Sequence, residues 1–247
     1  MKKVIAIIQA RLSSTRLPRK VLLKIDGETI LEKVFKNVSL SERVDRVVVA
    51  TSIDKTDDDI YKLCISKDID VFRGSLNNVL GRYYECAKFF SADTILRITS
   101  DCPLVSSITI DEAISVFLNN NFDYVSNTCP PEKSSYPDGS DVEVFSFDAL
   151  KKSYLEKDLH TNNEHVTFQF WKNEVKYSSY LMKLDNDFSR YRYTLDYPED
   201  FEVIKSIISE FAELEKTVTV SEIIGILDKN PEILKLNSKY KPGNGWK

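Results

Sequence analysis

Short apolar runs recur along the chain, and each is followed by a segment with helical spacing. Residues 4–8 are continuously apolar and end at polar Gln9, a pattern typical of a strand buried on both faces of a sheet. Similar runs predict strands at 46–51, 70–72, 94–98, 123–126 and 141–145. We also expect an antiparallel piece within 174–184 and a strand over 191–195, ending at Asp196.

Apolar residues three or four positions apart predict the helices between these strands. Thr29 and Glu32 have the spacing of a capping box, which indicates a helix from residue 29 to about 37. Pro198 is typical of a first helical residue and opens another helix. Further helices are predicted at 57–67, 77–90, 107–119, 146–157 and 221–229, and we expect the tail, residues 241–247, to be frayed.

This alternation indicates an α/β fold with a mostly parallel central sheet, helices on both faces and a small antiparallel extension. We expect one domain over residues 1–247. Residues 128–140 are rich in turn-forming residues, so residues 128–190 are interpreted as a lid that binds an acceptor and takes part in dimerisation.

Charge and composition exclude several classes of protein. The chain of 247 residues has a net charge of −4, which argues against a general nucleic-acid binder. No apolar run approaches the ~18 residues of a membrane span, so we expect no membrane insertion. The four cysteines are scattered and form no CxxC pair, as expected of a reduced cytoplasmic protein.

The basic residues are unevenly placed. Residues 1–25 hold seven Lys or Arg and no acid, although the chain as a whole is acidic. Three of these cations, Arg11, Arg16 and Lys20, lie in the segment directly after the first strand. Ligands bind outside the carboxyl ends of strands in such sheets, so the segment is a candidate phosphate site. The alternative is a solvated basic loop. The Gly-rich phosphate motifs GxxxxGK[ST] and GxGxxG are absent from the sequence.

Two aspartates follow later predicted strands. Asp101 ends the segment ITSD, and Asp196 ends YTLD. One or two carboxylates together with substrate phosphates are the usual ligands of Mg²⁺. Each aspartate has an alternative interpretation, Asp101 as a turn former before a proline and Asp196 as a helix cap. A basic loop with two strand-end carboxylates is the minimal equipment for phosphoryl or nucleotidyl transfer.

Several sequence blocks resemble the cytidylyltransferases that activate sugar acids. The segment IIQARLSSTRLPRKVL is close to the pattern (I/V)xARxxSxRLPxKxL of CMP-KDO synthetases. It is closer still to the spore-coat polysaccharide biosynthesis protein F group, and acylneuraminate cytidylyltransferases are also related. The resemblance continues, in order, through VFRGSLNNVLGRYYECAK, LRITSDCPLV, PDGSDVEVFSFDAL, NNEHVTFQFW and YTLDYPEDFEVI. It covers roughly residues 3–210, and Phe168 departs from it where that group usually has proline.

The resemblance implies the Rossmann-like nucleotide-diphospho-sugar transferase fold, CTP as donor, Mg²⁺ with Mn²⁺ as an alternative, and a homodimer. Arg11, Lys20 and Asp101 would be catalytic, and Asp101 and Asp196 would hold the metal. The implied nucleotide-binding residues are Gln9, Ala10, Arg11, Ser14, Arg16, Lys20, Arg73, Gly74, Ser75, Arg97 and Asp101. Arg97 is equally compatible with a role as partner of a nearby acid.

Acceptor-binding residues are expected in the lid region. The candidates are Asp138, Asp141, Glu143, Glu164 and His165. Carboxylates repel a sugar-acid carboxylate, so the acceptor site also needs a cation. The aromatic stretch at residues 168–171 is interpreted as core or interface.

The predicted activity is transfer of CMP from CTP to the hydroxyl of a sugar acid, which gives a CMP-sugar and pyrophosphate for surface glycan biosynthesis. Three alternatives stay open at this point. One is a nucleotidyltransferase for a sugar phosphate or alditol phosphate, another is a glycosyltransferase of the same fold, and the third is a non-catalytic nucleotide-binding regulator.

Overall fold

The computed structural model describes residues 2–156, 166–173, 175–211 and 218–243. Within these residues the strands are β1 (Val4–Gln9), β2 (Lys24–Ile25), β3 (Glu28–Thr29), β4 (Arg46–Ser52), β5 (Val71–Gly74), β6 (Thr94–Thr99), β7 (Tyr124–Ser126), β8 (Glu143–Ser146) and β9 (Ser179–Leu181). The α-helices are α1 (Ile30–Ser39), α2 (Asp58–Ser66), α3 (Val79–Phe89), α4 (Ser107–Asn119), α5 (Phe147–Leu155), α6 (Phe168–Lys172), α7 (Pro198–Glu210), α8 (Val220–Lys229) and α9 (Pro231–Leu236).

Seven strands form one sheet in the order β5-β4-β1-β6-β8-β7-β9. β1 is an interior strand that pairs in parallel with β4 and β6, and β8 is antiparallel to both of its neighbours. β2 and β3 form a separate antiparallel ribbon. The predicted fold class, a mostly parallel sheet with an antiparallel addition, is confirmed.

Helices cover both faces of the sheet. Ile5 and Ile7 of β1 pack with Leu80 and Tyr83 of α3, whereas the alternate residues of β1 pack into a second apolar cluster with α1, α4, α7 and α8. This explains why β1 is apolar at consecutive positions: a central parallel strand is buried on both sides. In the described part of the chain, no helix has the length and apolar character needed to span a membrane.

Local capping fixes where the helices begin. The Glu32 backbone N–H donates to Thr29 Oγ1 at 3.2 Å, and the Thr29 backbone N–H donates to Glu32 Oε2 at 2.8 Å. The predicted capping box of α1 is therefore confirmed. At α7, Pro198 is the first residue, and the Asp200 carboxylate accepts from the backbone N–H of Tyr197 at 2.9 Å. Asp196 lies just before Tyr197, the N-cap residue of this helix.

Three expectations from the sequence are wrong. Residues 191–195 form no strand, because their backbone bonds go to residues outside the sheet, such as Leu195 N–H to the carbonyl of Asp101 at 2.8 Å; a single bridge joins Asp138 to Arg192. β9 lies in the predicted 174–184 piece but runs parallel to β7. The expectation of a frayed tail over residues 241–247 is wrong at Gly243, whose N–H donates to Asp138 Oδ2 at 3.0 Å, and residues 244–247 lie outside the described residues.

Candidate active site

The basic loop that follows β1 is held by a hydrogen bond to a buried aspartate. Asp57 is fully buried and accepts from the Leu12 backbone N–H at 2.8 Å and from the Ser52 hydroxyl at 2.5 Å. At the far end of the loop, Arg19 adopts a left-handed conformation and a short 3-10 helix begins at Lys20. These contacts fix the loop's path and turn the Lys20 side chain inward, where it is only 9% exposed.

Lys20 joins the two predicted metal carboxylates. Its ammonium lies 2.9 Å from Asp101 Oδ2 and 3.0 Å from Asp196 Oδ1, and it also donates to the Leu195 carbonyl at 2.7 Å. Burial alone would lower the pKa of Lys20, but the two carboxylates raise it. Burial likewise opposes ionisation of Asp101, yet Lys20 and the Thr99 hydroxyl lower the pKa of Asp101 to about 2. The structure thus brings together Lys20, Asp101 and Asp196, as predicted.

Asp196 contacts two further cations. Arg16 lies 2.8 Å from Asp196 Oδ1 and keeps 41% of its side chain exposed. The buried Arg192 reaches Asp196 at 3.3 Å, Asp200 at 3.0 Å and Asp138 at 2.5 Å. Arg16 is therefore available to a ligand at the surface, whereas Arg192 holds three carboxylates in place from the protein interior.

The carboxylate cluster offers few side chains that could ligate a metal ion. Within residues 2–156, 166–173, 175–211 and 218–243, no group of three or more His, Cys, Asp or Glu side chains could hold a metal ion. Asp101 and Asp196 nevertheless already share one cation, the Lys20 ammonium. Two carboxylates of this kind are suited to an ion such as Mg²⁺ that takes its other oxygen ligands from substrate and water.

Unpaired polar atoms lie on the α3 face of the sheet. Gln9 follows Ile5 and Ile7 in the β1 alternation, so its side chain points toward α3, and its Oε1 is buried without a partner among the described residues. Arg82 of α3 is 1% exposed; its Nη1 donates to the Ser75 carbonyl at 2.7 Å, but its Nε and Nη2 have no partner there. Buried polar atoms are normally satisfied, so this face has the character of a ligand pocket.

The RGS segment, residues 73–75 at the end of β5, packs against Arg82. A Cβ on Gly74 would come within 2.9 Å of Arg82 Cγ, so glycine lets the arginine pack closely. Arg73 turns toward α2, where it donates to Asp58 Oδ1 at 2.7 Å and to the Ser52 carbonyl at 2.8 Å. The predicted base- or ribose-binding residues therefore lie beside the site, with Arg73 engaged by protein groups.

Ala10 and Ser14 lie in the basic loop. The Ala10 backbone N–H donates to Ala50 O at 3.2 Å, which extends the β1–β4 pairing by one residue. Ser14 Oγ accepts from the Leu17 backbone N–H at 3.4 Å. Both residues therefore lie in the loop for which nucleotide binding is predicted.

Arg97 and Glu143 form a buried ion pair inside the sheet. Glu143 is 1% exposed and also accepts from the Tyr124 hydroxyl at 2.6 Å. Of the two sequence interpretations of Arg97, this placement favours the charge partner. It also places Glu143 in the sheet interior, apart from the cleft where an acceptor was expected.

A cleft of about 540 Å³ adjoins the carboxylate cluster. Its lining includes Asp138 and Asp141, which the sequence assigned to the acceptor, together with Trp171 and Lys172 of α6. The Nε1 of Trp171 is buried and has no partner in the described part of the chain. Burial and the nearby charge of Asp138 raise the pKa of Asp141 to about 7. Hydroxyl, ammonium and carboxyl groups thus converge on one open space.

Some residues of the site could not be predicted from the sequence. Arg192, Arg82 and Asp57 have no motif that marks them, because each acts through tertiary contacts. Lys172 was also missed, although the need for a cation near the acceptor was a signal for it. Glu164 and His165 lie outside the described residues.

The comparisons with known proteins agree with this geometry. The family model described as cytidylyltransferase matches residues 5–226. An uncharacterised protein from Methanocaldococcus jannaschii is 39% identical over 241 residues, 97% of this chain and 96% of that protein. The spore coat polysaccharide biosynthesis protein SpsF of Bacillus subtilis is 30% identical over 244 residues, 94% of this chain and 97% of that protein.

A solved structure shows the same fold at comparable identity. The cytidylyltransferase from Leptospira borgpetersenii superimposes with a TM-score of 0.87 and 34% identity, and the match covers 94% of this chain and 97% of that one. Family model, relatives and structure point the same way. The chain belongs to the cytidylyltransferase family and is a nucleotidyltransferase enzyme.

Proposed function

We propose that the protein transfers CMP from CTP to a hydroxyl of a sugar acid, for surface glycan biosynthesis. The observation that carries this proposal is the Lys20 ammonium held between Asp101 and Asp196 at the end of the parallel sheet. In the reaction, the acceptor oxygen bonds to the α-phosphorus of CTP, the bond from that phosphorus to the β-phosphate oxygen breaks, and pyrophosphate and the hydroxyl proton are released.

The basic loop supplies charge to the leaving group. Arg11, Arg16 and Lys20 bind the triphosphate and stabilise the pyrophosphate as it departs. Arg16 suits this role because its guanidinium is partly exposed while Asp196 orients it. Arginine grips phosphate oxygens with two parallel hydrogen bonds, whereas Lys20 acts as a point charge beneath them.

Asp101 and Asp196 would hold Mg²⁺, or Mn²⁺ as an alternative, together with oxygens of the triphosphate. The two carboxylates already gather around one cation, which supports their fitness for the metal. A bound divalent ion would neutralise part of the triphosphate charge and orient it. Lys20 would then pair with phosphate as well as carboxylate oxygens.

The α3 face supports selection of cytosine. The exocyclic amine of cytosine would donate a hydrogen bond to Gln9 Oε1. The ring nitrogen and carbonyl of cytosine would accept hydrogen bonds from Arg82. Uracil presents an acceptor where cytosine has the amine, so the same arrangement would leave Gln9 Oε1 without a donor. An unmade buried bond of this kind is a strong source of discrimination.

The cleft is the proposed acceptor site within the lid region of residues 128–190. Lys172 provides the cation that a sugar-acid carboxylate requires, and the free Trp171 Nε1 is a donor for it. Asp138 and Asp141, which line the cleft, would accept hydrogen bonds from sugar hydroxyls. The negative charge of Asp138 is balanced by Arg192, which limits its repulsion of an anionic acceptor.

Pyrophosphate release tests the proposal. Purified protein is incubated with Mg²⁺, one of CTP, UTP, GTP or ATP, and a panel of 2-keto sugar acids, sugar phosphates and alditol phosphates. We expect release with CTP and a sugar acid. Release only with a phosphorylated acceptor would indicate the alternative nucleotidyltransferase, and CTP binding without release on any acceptor would indicate a regulator.

Lys172 tests the acceptor class separately. K172M should raise KM for the sugar acid about tenfold or more, the size expected for losing a bond to a charged group, and leave KM for CTP unchanged. K133M is the matched control, since Lys133 is exposed and does not line the cleft. Equal KM values in K172M and K133M would refute this role of Lys172.

A further inference from the structure

Residues 237–243, which we call the C-terminal strap, cross the carboxylate cluster. They lie beyond residue 226, where the match to the family model ends. The strap begins at Asn237, which is 4% exposed and donates from Nδ2 to Asp200 Oδ1 at 2.8 Å and to the Arg192 carbonyl at 3.3 Å. Asn237 is thus hydrogen-bonded to Asp200 and Arg192, the two residues that contact Asp196 from the protein interior.

An aromatic stack anchors the middle of the strap. The rings of Tyr240 and Tyr197 are stacked, with their centroids 3.7 Å apart and 5° between their planes. The Tyr240 hydroxyl donates to Glu199 Oε2 at 3.0 Å, and the neighbouring Lys239 pairs with Glu199 at 2.6 Å. The strap is therefore fixed to the first turn of α7, the helix that follows Asp196.

The far end of the strap reaches the acceptor cleft. Pro242 and Gly243 line the cleft, and the Gly243 backbone N–H donates to Asp138 Oδ2 at 3.0 Å. Gly243 has φ of +74°, a left-handed conformation that glycine adopts without strain. Asp138 is thus held from two sides, by Arg192 and by the strap.

We infer that the C-terminal strap forms one wall of the acceptor cleft and sets acceptor affinity by fixing the carboxylate of Asp138. This inference rests on the proposed function, because it assigns the cleft to the acceptor. The strap residues are positioning residues: they act on the acceptor through Asp138 and through the shape of the cleft. The residues proposed to bind CTP do not touch Asp138: Gln9, Arg11 and Lys20 lie at the other end of the site, and Arg16 lies over the Tyr197 ring, 5.3 Å from its centroid.

Two variants and one conservative control test the strap. Y240A removes the stacking anchor, and G243P removes the N–H that bonds Asp138 and cannot adopt the positive φ. Y240F keeps the stack and loses only the hydroxyl bond. KM for the best sugar acid, KM for CTP and kcat are measured for each full-length protein by pyrophosphate release.

We expect Y240A and G243P to raise KM for the sugar acid about tenfold, comparable to losing one hydrogen bond to a charged group, with KM for CTP and kcat within about twofold of wild type. Y240F should resemble wild type. An unchanged acceptor KM in both variants, or an equal rise in KM for CTP, would overturn the inference. Absence of turnover by the wild-type protein would instead refute the proposed function, and with it the acceptor role of the strap.

Discussion

Two aspartates on either side of one thiol illustrate how the two halves of the site differ. The sulfur of Cys102 lies 3.7 Å from Asp101 Oδ1 and 3.5 Å from Asp141 Oδ2. Lys20 beside Asp101 lowers its pKa to about 2, whereas burial next to Asp138 raises the pKa of Asp141 to about 7. The same type of side chain thus has a lowered pKa beside Lys20 and a raised pKa beside the cleft.

The difference lies in the position of the cations. Beside the basic loop, Arg16 contacts Asp196 from the surface, so a polyanion can compete for it, and Lys20 lies buried between Asp101 and Asp196. Beside the cleft, the buried Arg192 pairs with protein carboxylates, and Lys172 is among the residues that line the cleft. The first arrangement suits a triphosphate and the second suits a sugar with at most one charge.

Removing Arg192 should have the largest effect on folding. R192M would leave Asp138, Asp196 and Asp200 without a shared cation, and breaking a buried ion pair in this way costs about 3–5 kcal/mol. Denaturant unfolding measures the loss. R190M, at an exposed neighbouring arginine, should change the free energy of unfolding by less than ~1 kcal/mol. Similar values for the two variants would show that Arg192 does not hold the site together.

Replacing Arg82 should raise the stability of the protein and weaken its binding of CTP. R82M removes two buried nitrogens that lack partners, so the free energy of unfolding should rise by about 1 kcal/mol. CTP affinity should fall about tenfold, because the ligand loses the donors that those nitrogens offer. Calorimetric titration and denaturant unfolding measure both. R43M, at an exposed arginine, is the control, and a destabilised R82M with normal CTP affinity would contradict the pocket assignment.

The pH dependence of stability should separate the two aspartates. The folded-state pKa of Asp141, about 7, lies above its ordinary 3.8, so its favourable contribution is complete below about pH 4 and is lost as pH rises through 7. D141N should therefore gain stability relative to wild type between pH 5 and pH 8, by about 1 kcal/mol or more. Thermal unfolding across this range measures the gain, and a constant difference would contradict the raised pKa.

The grouping of the basic loop with the strand-end carboxylates could be predicted from sequence, because its parts are contiguous or follow apolar runs. Arg11, Arg16 and Lys20 occur in one loop after β1, and Asp101 follows the run that forms β6. Parallel strands bring such ends to one edge of the sheet. Asp196 also lies beside Lys20, although the segment before it is extended chain bound to loops and forms no strand; its role as a metal ligand stays a prediction.

The acceptor half could not be predicted in the same way. Arg192 lies between two buried tyrosines, a pattern that indicates a packed strand and gives no hint of three carboxylate partners. The strap has the Pro and Gly composition of a loose tail, and its order comes from contacts with Asp138 and Tyr197 that are distant in sequence. Tertiary contacts of this kind leave no local pattern.

The most direct test of the account is the CTP-dependent pyrophosphate release of D101N and D196N. Each substitution removes one negative charge from the pair around Lys20 and keeps the side chain's size. We expect at least ~100-fold lower turnover in both, a typical cost of losing a key electrostatic group, and normal turnover in D187N, at an exposed aspartate. Near-normal turnover in D101N and D196N would contradict the claim that these carboxylates organise nucleotidyl transfer.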